Sequence, residues 1–156
     1  MLYFAYGSNM QFDQMKERCP SARFETVARL RDYRLAFTRF SKNRQCGVAD
    51  IVPSKGPDVW GAVYEITETE ISVLDRSEGY RPGRSRLENA YERTQIHVEP
   101  HGSAQGPLAV WTYAVVSKLT PNPKPSREYK QLILEGARTW RLPAPYIQQI
   151  EAIESQ

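Results

Sequence analysis

The segment Leu2-Tyr3-Phe4-Ala5-Tyr6-Gly7-Ser8-Asn9 constrains this chain more than any other, because an apolar strand runs directly into a Gly-Ser-Asn turn. Glycine tolerates positive φ, so Gly7 permits a sharp change of direction. Ser8 and Asn9 are both residue types favoured at helix N-caps. Met10 to Cys19, with apolar Met10, Phe12 and Met15, reads as the helix that follows. Several backbone N–H groups would then converge at the helix start, where a carboxylate, a phosphate or a developing oxyanion binds. An ordinary strand-to-helix connection explains the same residues. On its own the segment therefore marks a candidate anion site and not yet a function.

The rest of the chain limits what such a site can belong to. With 156 residues, 40% hydrophobic and 25% charged, it fits a single domain over residues 1–156 with a real core. No run of eighteen apolar residues exists, so no membrane helix is expected. The first residues lack a basic n-region, so no signal peptide is expected either. Cys19 and Cys46 are the only cysteines and do not make a disulfide framework, which points to a reducing, cytoplasmic compartment. The formal net charge of +3 is too small to argue for nucleic acid as a partner. Arginines crowd two segments, Arg29 to Arg39 on alternate strand faces and Arg81 to Arg93 in a loop. Most read as solvated surface, with a few available to attract an anionic small substrate.

Periodicity gives the elements. Phe24–Leu30 and Tyr33–Phe40 alternate like half-buried strands around a turn at Arg31-Asp32. Cys46–Val52 and Val59–Ile66 read as two more strands, separated by the turn signal Pro53–Asp58. Thr67-Glu68-Thr69-Glu70 is a capping box opening a helix with Ile71 and Leu74 inward, stopped by Gly79. Tyr91–Val98 and Leu108–Val116 are later strands. Ser126 caps a helix to Thr139, with Tyr129, Leu132, Ile133 and Ala137 inward, and Pro143–Glu154 is a last short helix. Seven or so strands, largely antiparallel, with a few helices predict a mixed barrel-like α+β domain. No Gly-rich dinucleotide or phosphate-loop fingerprint is present.

Glu78 is the second candidate. It lies in the last turn before Gly79, where the partial negative charge of a helix C-terminus disfavours a carboxylate. Asp75, three residues earlier, adds like-charge repulsion on the same face. Both raise its pKa toward the range useful for general acid–base work, while Arg76 and the arginines that follow oppose them. A solvated acid at a helix end is the plain alternative. His97 on an outward strand face and His101 in a loop make no cluster of zinc-like spacing, so no metal site is expected. Tyr91, Tyr113 and Tyr129 either point phenols into a cavity or sit in the core with satisfied hydroxyls.

These pieces together resemble the γ-glutamyl cyclotransferases of the AIG2-like group. The series is ordered: Tyr3 to Asn9; Pro20-Ser21-Ala22 and Ala28 to Tyr33; Val59-Trp60-Gly61-Ala62-Val63-Tyr64; Leu74-Asp75-x-x-Glu78-Gly79; Pro125-Ser126-x-x-Tyr129; Gly136-Ala137; and Leu142-Pro143-x-x-Tyr146. It runs from residue 3 to about 154. The resemblance implies a small mixed β-barrel with flanking helices, no metal and no organic cofactor. It also implies conversion of a γ-glutamyl amino acid or amine into 5-oxoproline and the free amine. By the same resemblance Glu78 is the catalytic acid/base, Tyr6, Gly7, Ser8 and Asn9 form the substrate loop, and Tyr91, Tyr113 and Tyr129 surround the pocket. The implied partner is a small γ-glutamyl substrate, with neither nucleic acid nor membrane, in a chain compatible with a homodimer. A catalytically idle ligand-binding protein on the same scaffold is the alternative. The basic stretch from Tyr80 to Ala90 departs from the pattern. If Arg81, Arg84 and Arg86 face the pocket they favour acid-bearing leaving groups; if they face solvent they contribute nothing.

Overall fold

The computed structural model describes residues 1–156. Five strands close into a barrel in the order β1-β3-β2-β4-β5, with β1 at Leu2–Ala5, β2 at Arg23–Ser41, β3 at Cys46–Glu65, β4 at Tyr91–Pro100 and β5 at Leu108–Val115. Every ladder is antiparallel except β1 beside β5, where Tyr3 lies opposite Trp111. Closure rests on short contacts, two residue pairs between β2 and β4 and one between β1 and β5. Four helices flank it: α1 Phe12–Arg18, α2 Glu68–Ser77, α3 Arg127–Thr139 and α4 Ala144–Glu151. The mixed α+β barrel is therefore as expected. No helix is long and apolar enough to cross a membrane. Both cysteines are free and buried.

The strand count differs from the sequence reading. Arg31-Asp32 and Pro53–Asp58 are not reversals; both lie inside strands, and β2 and β3 pair with each other on either side of them. Asp32 adopts φ 59, a left-handed conformation that Asp tolerates. Residues 54–57 bulge out opposite it, with Gly56 at φ 110 donating its N–H to the Asp32 carboxylate at 3.0 Å. Residues with turn chemistry here build a bend in one long ribbon. The reversal comes at 41–46, between the two strands.

The segment after β1 also differs. Residues Ser8–Met10 form one 3-10 turn, and α1 begins only at Phe12. Its N-cap is Gln11, whose side chain accepts the Gln14 N–H at 2.7 Å. Ser8 and Asn9 are not caps. The ends of the later helices follow the sequence: Thr67 caps α2 and Ser126 caps α3, each through its side chain. On α3, Tyr129, Ile133 and Ala137 are buried as expected, whereas Leu132 is half-buried and Leu134 takes the inner position.

The helix α3 fixes the turn after β1. A Cβ on Gly136 would fall 2.3 Å from the carbonyl carbon of Met10 and 2.6 Å from the Gln11 nitrogen. Backbone thus packs on backbone. The Met10 carbonyl accepts two hydrogen bonds, from the Tyr64 hydroxyl at 3.0 Å and the Trp140 indole at 2.9 Å. Trp140 in turn stacks flat on Phe24 with centroids 4.0 Å apart. Gly136→Ala should therefore force the turn away from α3 and cost about 1–3 kcal/mol, the usual range for overpacking. Urea unfolding measures this. An unchanged midpoint would show that the contact is slack.

Candidate active site

Helix α2 delivers Glu78 to a fixed place. Ile71 and Leu74 bury one face of the helix against the core. Its C-terminus closes with the Tyr80 N–H on the Asp75 carbonyl at 2.8 Å and the Gly79 N–H on the Arg76 carbonyl at 3.2 Å. This is the Schellman pattern, with Gly79 at φ 65 supplying the left-handed residue. Glu78 is the C-cap itself, and its side chain is 18% exposed.

Glu78 stands in the wall of a cavity of about 770 Å³. The same cavity is lined by all seven of the other candidates, Tyr6, Gly7, Ser8, Asn9, Tyr91, Tyr113 and Tyr129. The Asn9 side-chain amide reaches the Glu78 carboxylate at 3.5 Å and donates to the Tyr3 hydroxyl at 3.0 Å. Its amide oxygen accepts from Gln14 at 2.9 Å and from Arg18 at 2.8 Å. The Arg18 guanidinium also lies 3.6 Å from the Glu78 carboxylate. Gln14 and Arg18 are four residues apart on α1, hence on one face of that helix. Gln14 further bonds Ser8 and receives Arg44, which lies 4.9 Å over the Tyr129 ring.

Gly7 has φ −110, not the positive value expected of it. Its need for glycine is proximity: a Cβ would sit 3.2 Å from the Ala49 Cβ and 3.5 Å from the Tyr129 hydroxyl. The Gly7 N–H donates to no group of the protein.

The tyrosines combine both sequence readings, since their rings line the cavity while their hydroxyls are bonded within the wall. Tyr6 donates to the Tyr113 carbonyl at 2.6 Å, Tyr91 to the Ala49 carbonyl at 2.7 Å, and Tyr113 to the Asp75 carboxylate at 2.7 Å. The Tyr129 oxygen instead accepts the Ala49 N–H at 2.9 Å. Its own O–H proton is left uncommitted. Burial raises its pKa to about 12, so it remains a neutral donor.

Burial also pushes the Glu78 carboxyl above the usual carboxylate range, against the pull of Arg18 and then Arg44. This corrects the expected cause. Asp75 is buried, bonded by Tyr113 and paired with Arg93 at 3.4 Å, so its charge is answered locally. The opposing cations come from α1 and the β2–β3 hairpin, not from the segment after Glu78. Arg81, Arg84 and Arg86 do not line the cavity. Arg84 turns back onto Asn89 and the Gly79 carbonyl, and Arg86 pairs with Glu92 at 2.8 Å. Arg84 and Arg86 are thus engaged within their own segment and stay outside the cavity. His97 is exposed, as expected, and His101 packs edge-on against Trp60. No three His, Cys, Asp or Glu side chains converge as a metal-binding group.

Sequence reading missed Tyr3, Gln14, Arg18 and Arg44. The i, i+4 spacing of Gln14 and Arg18 on the helix after the turn was a usable signal. Nothing local marks Arg44, which arrives from the tip of the ribbon.

The family described as "Gamma-glutamyl cyclotransferase, AIG2-like" matches residues 3–140. The γ-glutamylcyclotransferase of Mus musculus is 35% identical, covering 98% of this chain and 78% of its own length, and that of Homo sapiens is 33% identical over the same shares. A solved γ-glutamyl cyclotransferase structure superposes with a TM-score of 0.89 at 31% identity, covering 100% of this chain and 89% of the other.

The raised Glu78 pKa has a stability consequence. In the window between the unfolded and folded values the folded state holds the extra proton, so stability falls as pH rises through it. Glu78→Gln should therefore melt at a higher temperature than the parent at pH 8. The gap should close near pH 4. Thermal melts at both pH values test this, and a gap that does not depend on pH would contradict it.

Proposed function

Because the chain belongs to the AIG2-like γ-glutamyl cyclotransferase family and is an enzyme of γ-glutamyl cyclisation, we propose that Glu78 is its acid/base and that the substrate is a γ-glutamyl amino acid. The observation that carries this reading is the half-buried Glu78 carboxylate in the wall of the cavity that the Gly7–Asn9 turn also lines, with Asn9 and Arg18 at 3.5 and 3.6 Å.

The reaction needs little from a protein beyond shape and protons. The substrate's α-amine attacks its own γ-carbonyl and closes a five-membered ring. The new C–N bond forms to the α-nitrogen, and the γ-amide C–N bond breaks. Holding the folded conformer removes most of the entropic barrier, an effect worth up to ~7–11 kcal/mol in well-oriented intramolecular reactions. The amine must lose a proton to attack, and the departing amine must gain one. Glu78 does both in turn. A pKa displaced upward by burial makes it a better base toward an ammonium group and a competent acid afterwards.

The charge that grows on the γ-carbonyl oxygen needs donors already in place. The Gly7 N–H and the Tyr129 O–H are adjacent donors with no acceptor in the protein, and they take that oxygen in this reading. Arg44, stacked on Tyr129, supplies positive charge toward the α-carboxylate. Asn9 donates to the Glu78 carboxylate and positions it, while Arg18 keeps the ionised form accessible.

Glu78→Gln should cut 5-oxoproline formation by roughly 10²–10⁴ while the folded variant still binds substrate, the scale for loss of an acid/base group. Mass detection of 5-oxoproline, with calorimetric binding alongside, tests it. Turnover within a few-fold of the parent would remove Glu78 from the mechanism. Gly7→Val should raise KM at least tenfold, because the added methyl groups fill the space beside Ala49 and Tyr129. An unchanged KM would reduce the turn to a connection.

A further inference from the structure

The cavity carries more positive charge than the γ-glutamyl group can answer. Five cationic side chains line it, Arg18, Arg39, Lys42, Arg44 and Arg76, against the single carboxylate of Glu78. Arg18 is engaged with Glu78 and Asn9, and Arg44 with Gln14 and the Tyr129 ring. Arg39 is different. It is half-buried, it pairs with no carboxylate, and its guanidinium donates no hydrogen bond. A partly buried cation without a partner is costly, and such groups are normally paired.

The backbone shows how Arg39 gets there. Between Ala36 and Arg39 the register of β2 slips by one residue against Asp50 and Val48 of β3. Ala36, Phe37 and Thr38 are all buried in succession across this bulge. Bulges re-aim side chains and occur beside active sites. This one sets Arg39 opposite Val48, which also lines the cavity, so the two share a face. The bulge is tied down by Thr38, whose hydroxyl donates to the fully buried Asp50 at 2.7 Å. Its carbonyl accepts the Leu119 N–H at 2.7 Å.

Next to Arg39 the cavity mouth is apolar. Phe40 and Leu119 are 39% and 48% exposed, two of the three exposed large hydrophobic residues in the chain. Lys42 follows at the hairpin, exposed and unpaired. The combination suits a short aliphatic stem ending in a carboxylate.

Resting on the cyclotransferase reading above, we propose that Arg39, Phe40, Lys42 and Leu119 form the leaving-group subsite, and that it selects γ-glutamyl compounds whose leaving group is an acidic amino acid. The leaving amino acid brings two carboxylates. Arg39 takes the side-chain carboxylate through paired N–H donors, the geometry guanidinium offers best. Lys42 contributes charge at the mouth, and Phe40 and Leu119 cover the methylene stem. The arginines of the loop after Glu78 take no part, since none of them reaches the cavity.

The test compares γ-glutamyl-glutamate with γ-glutamyl-alanine as substrates, measuring 5-oxoproline by mass. The parent should favour the acidic dipeptide in kcat/KM. Arg39→Gln should lower that preference by about tenfold or more, mainly through KM, on the scale of one charge-assisted contact. Arg39→Lys should restore part of it, and Arg81→Gln should leave the ratio where it was. A ratio unchanged by Arg39→Gln, or lowered equally by Arg81→Gln, overturns the subsite. If 5-oxoproline forms from neither dipeptide, the cyclotransferase reading fails with both of these substrates. The subsite is then read without turnover: thermal stabilisation of the parent by free glutamate should exceed that by free alanine and vanish in Arg39→Gln. Equal stabilisation by the two amino acids overturns it. The same ligand comparison decides the matter if Arg39→Gln folds poorly, with Lys42→Gln as the second variant.

Discussion

The carbonyl oxygen of Met10 holds two donors, and the geometry of the candidate site depends on that junction. Tyr64 reaches it from the barrel wall and Trp140 from the end of α3. Gly136 lets the α3 backbone close on the same residue. The turn that carries Gly7, Ser8 and Asn9 is a single 3-10 turn and cannot hold itself in shape. It is rigid because barrel and helix grip its last residue from two sides. From there order passes outward: Gln14 and Arg18 on α1 fix Asn9, and Asn9 touches Glu78. A site of this kind needs its supporting groups as much as its reacting ones.

Glu78 shows the opposite economy. Its helix ends in a well-formed Schellman motif, with Asp75 hydrogen-bonded by Tyr113 and paired with Arg93, so the scaffold around it is stable. The carboxyl itself is placed where burial disfavours its charge, with Arg18 and Arg44 only partly relieving this. The site keeps a local conflict that the rest of the fold can tolerate. Strain confined to one side chain, surrounded by satisfied neighbours, suits the proton-carrying role proposed for Glu78.

What the sequence disclosed and concealed follows from range. Thr67 and Ser126 were legible as helix caps because a cap is decided within four residues. Gly79 was legible for the same reason. Asp32 and Gly56 were misread because turn residues and bulge residues share one requirement, a left-handed or permissive backbone, and only the partner strand decides which is built. Ser8 and Asn9 were misread as caps because their side chains are bonded to Gln14, Arg18 and Tyr3 instead. The eight candidate residues do converge on one cavity, yet the reason for Gly7 is a neighbour 42 residues away in sequence, Ala49, and no local pattern could show it. Arg44 and Arg39 owe their positions to a hairpin tip and a bulge. Both are products of ribbon register, which periodicity alone does not fix.

The pairing of β1 has a consequence for how the molecule comes to be. This strand has only four residues, and its partners are Ala62–Glu65 on one side and Trp111 on the other. The turn that follows is gripped by residues 64, 136 and 140. On the ribosome β1 is made ahead of every element it touches, and it must wait for nearly the whole chain. The long β2–β3 ribbon, by contrast, closes on a short hairpin and can form early. Residues 2–10 are thus seated only after partners as late as Trp140 have been made, and the cavity lacks the Tyr129 wall until α3 closes over the turn that follows β1.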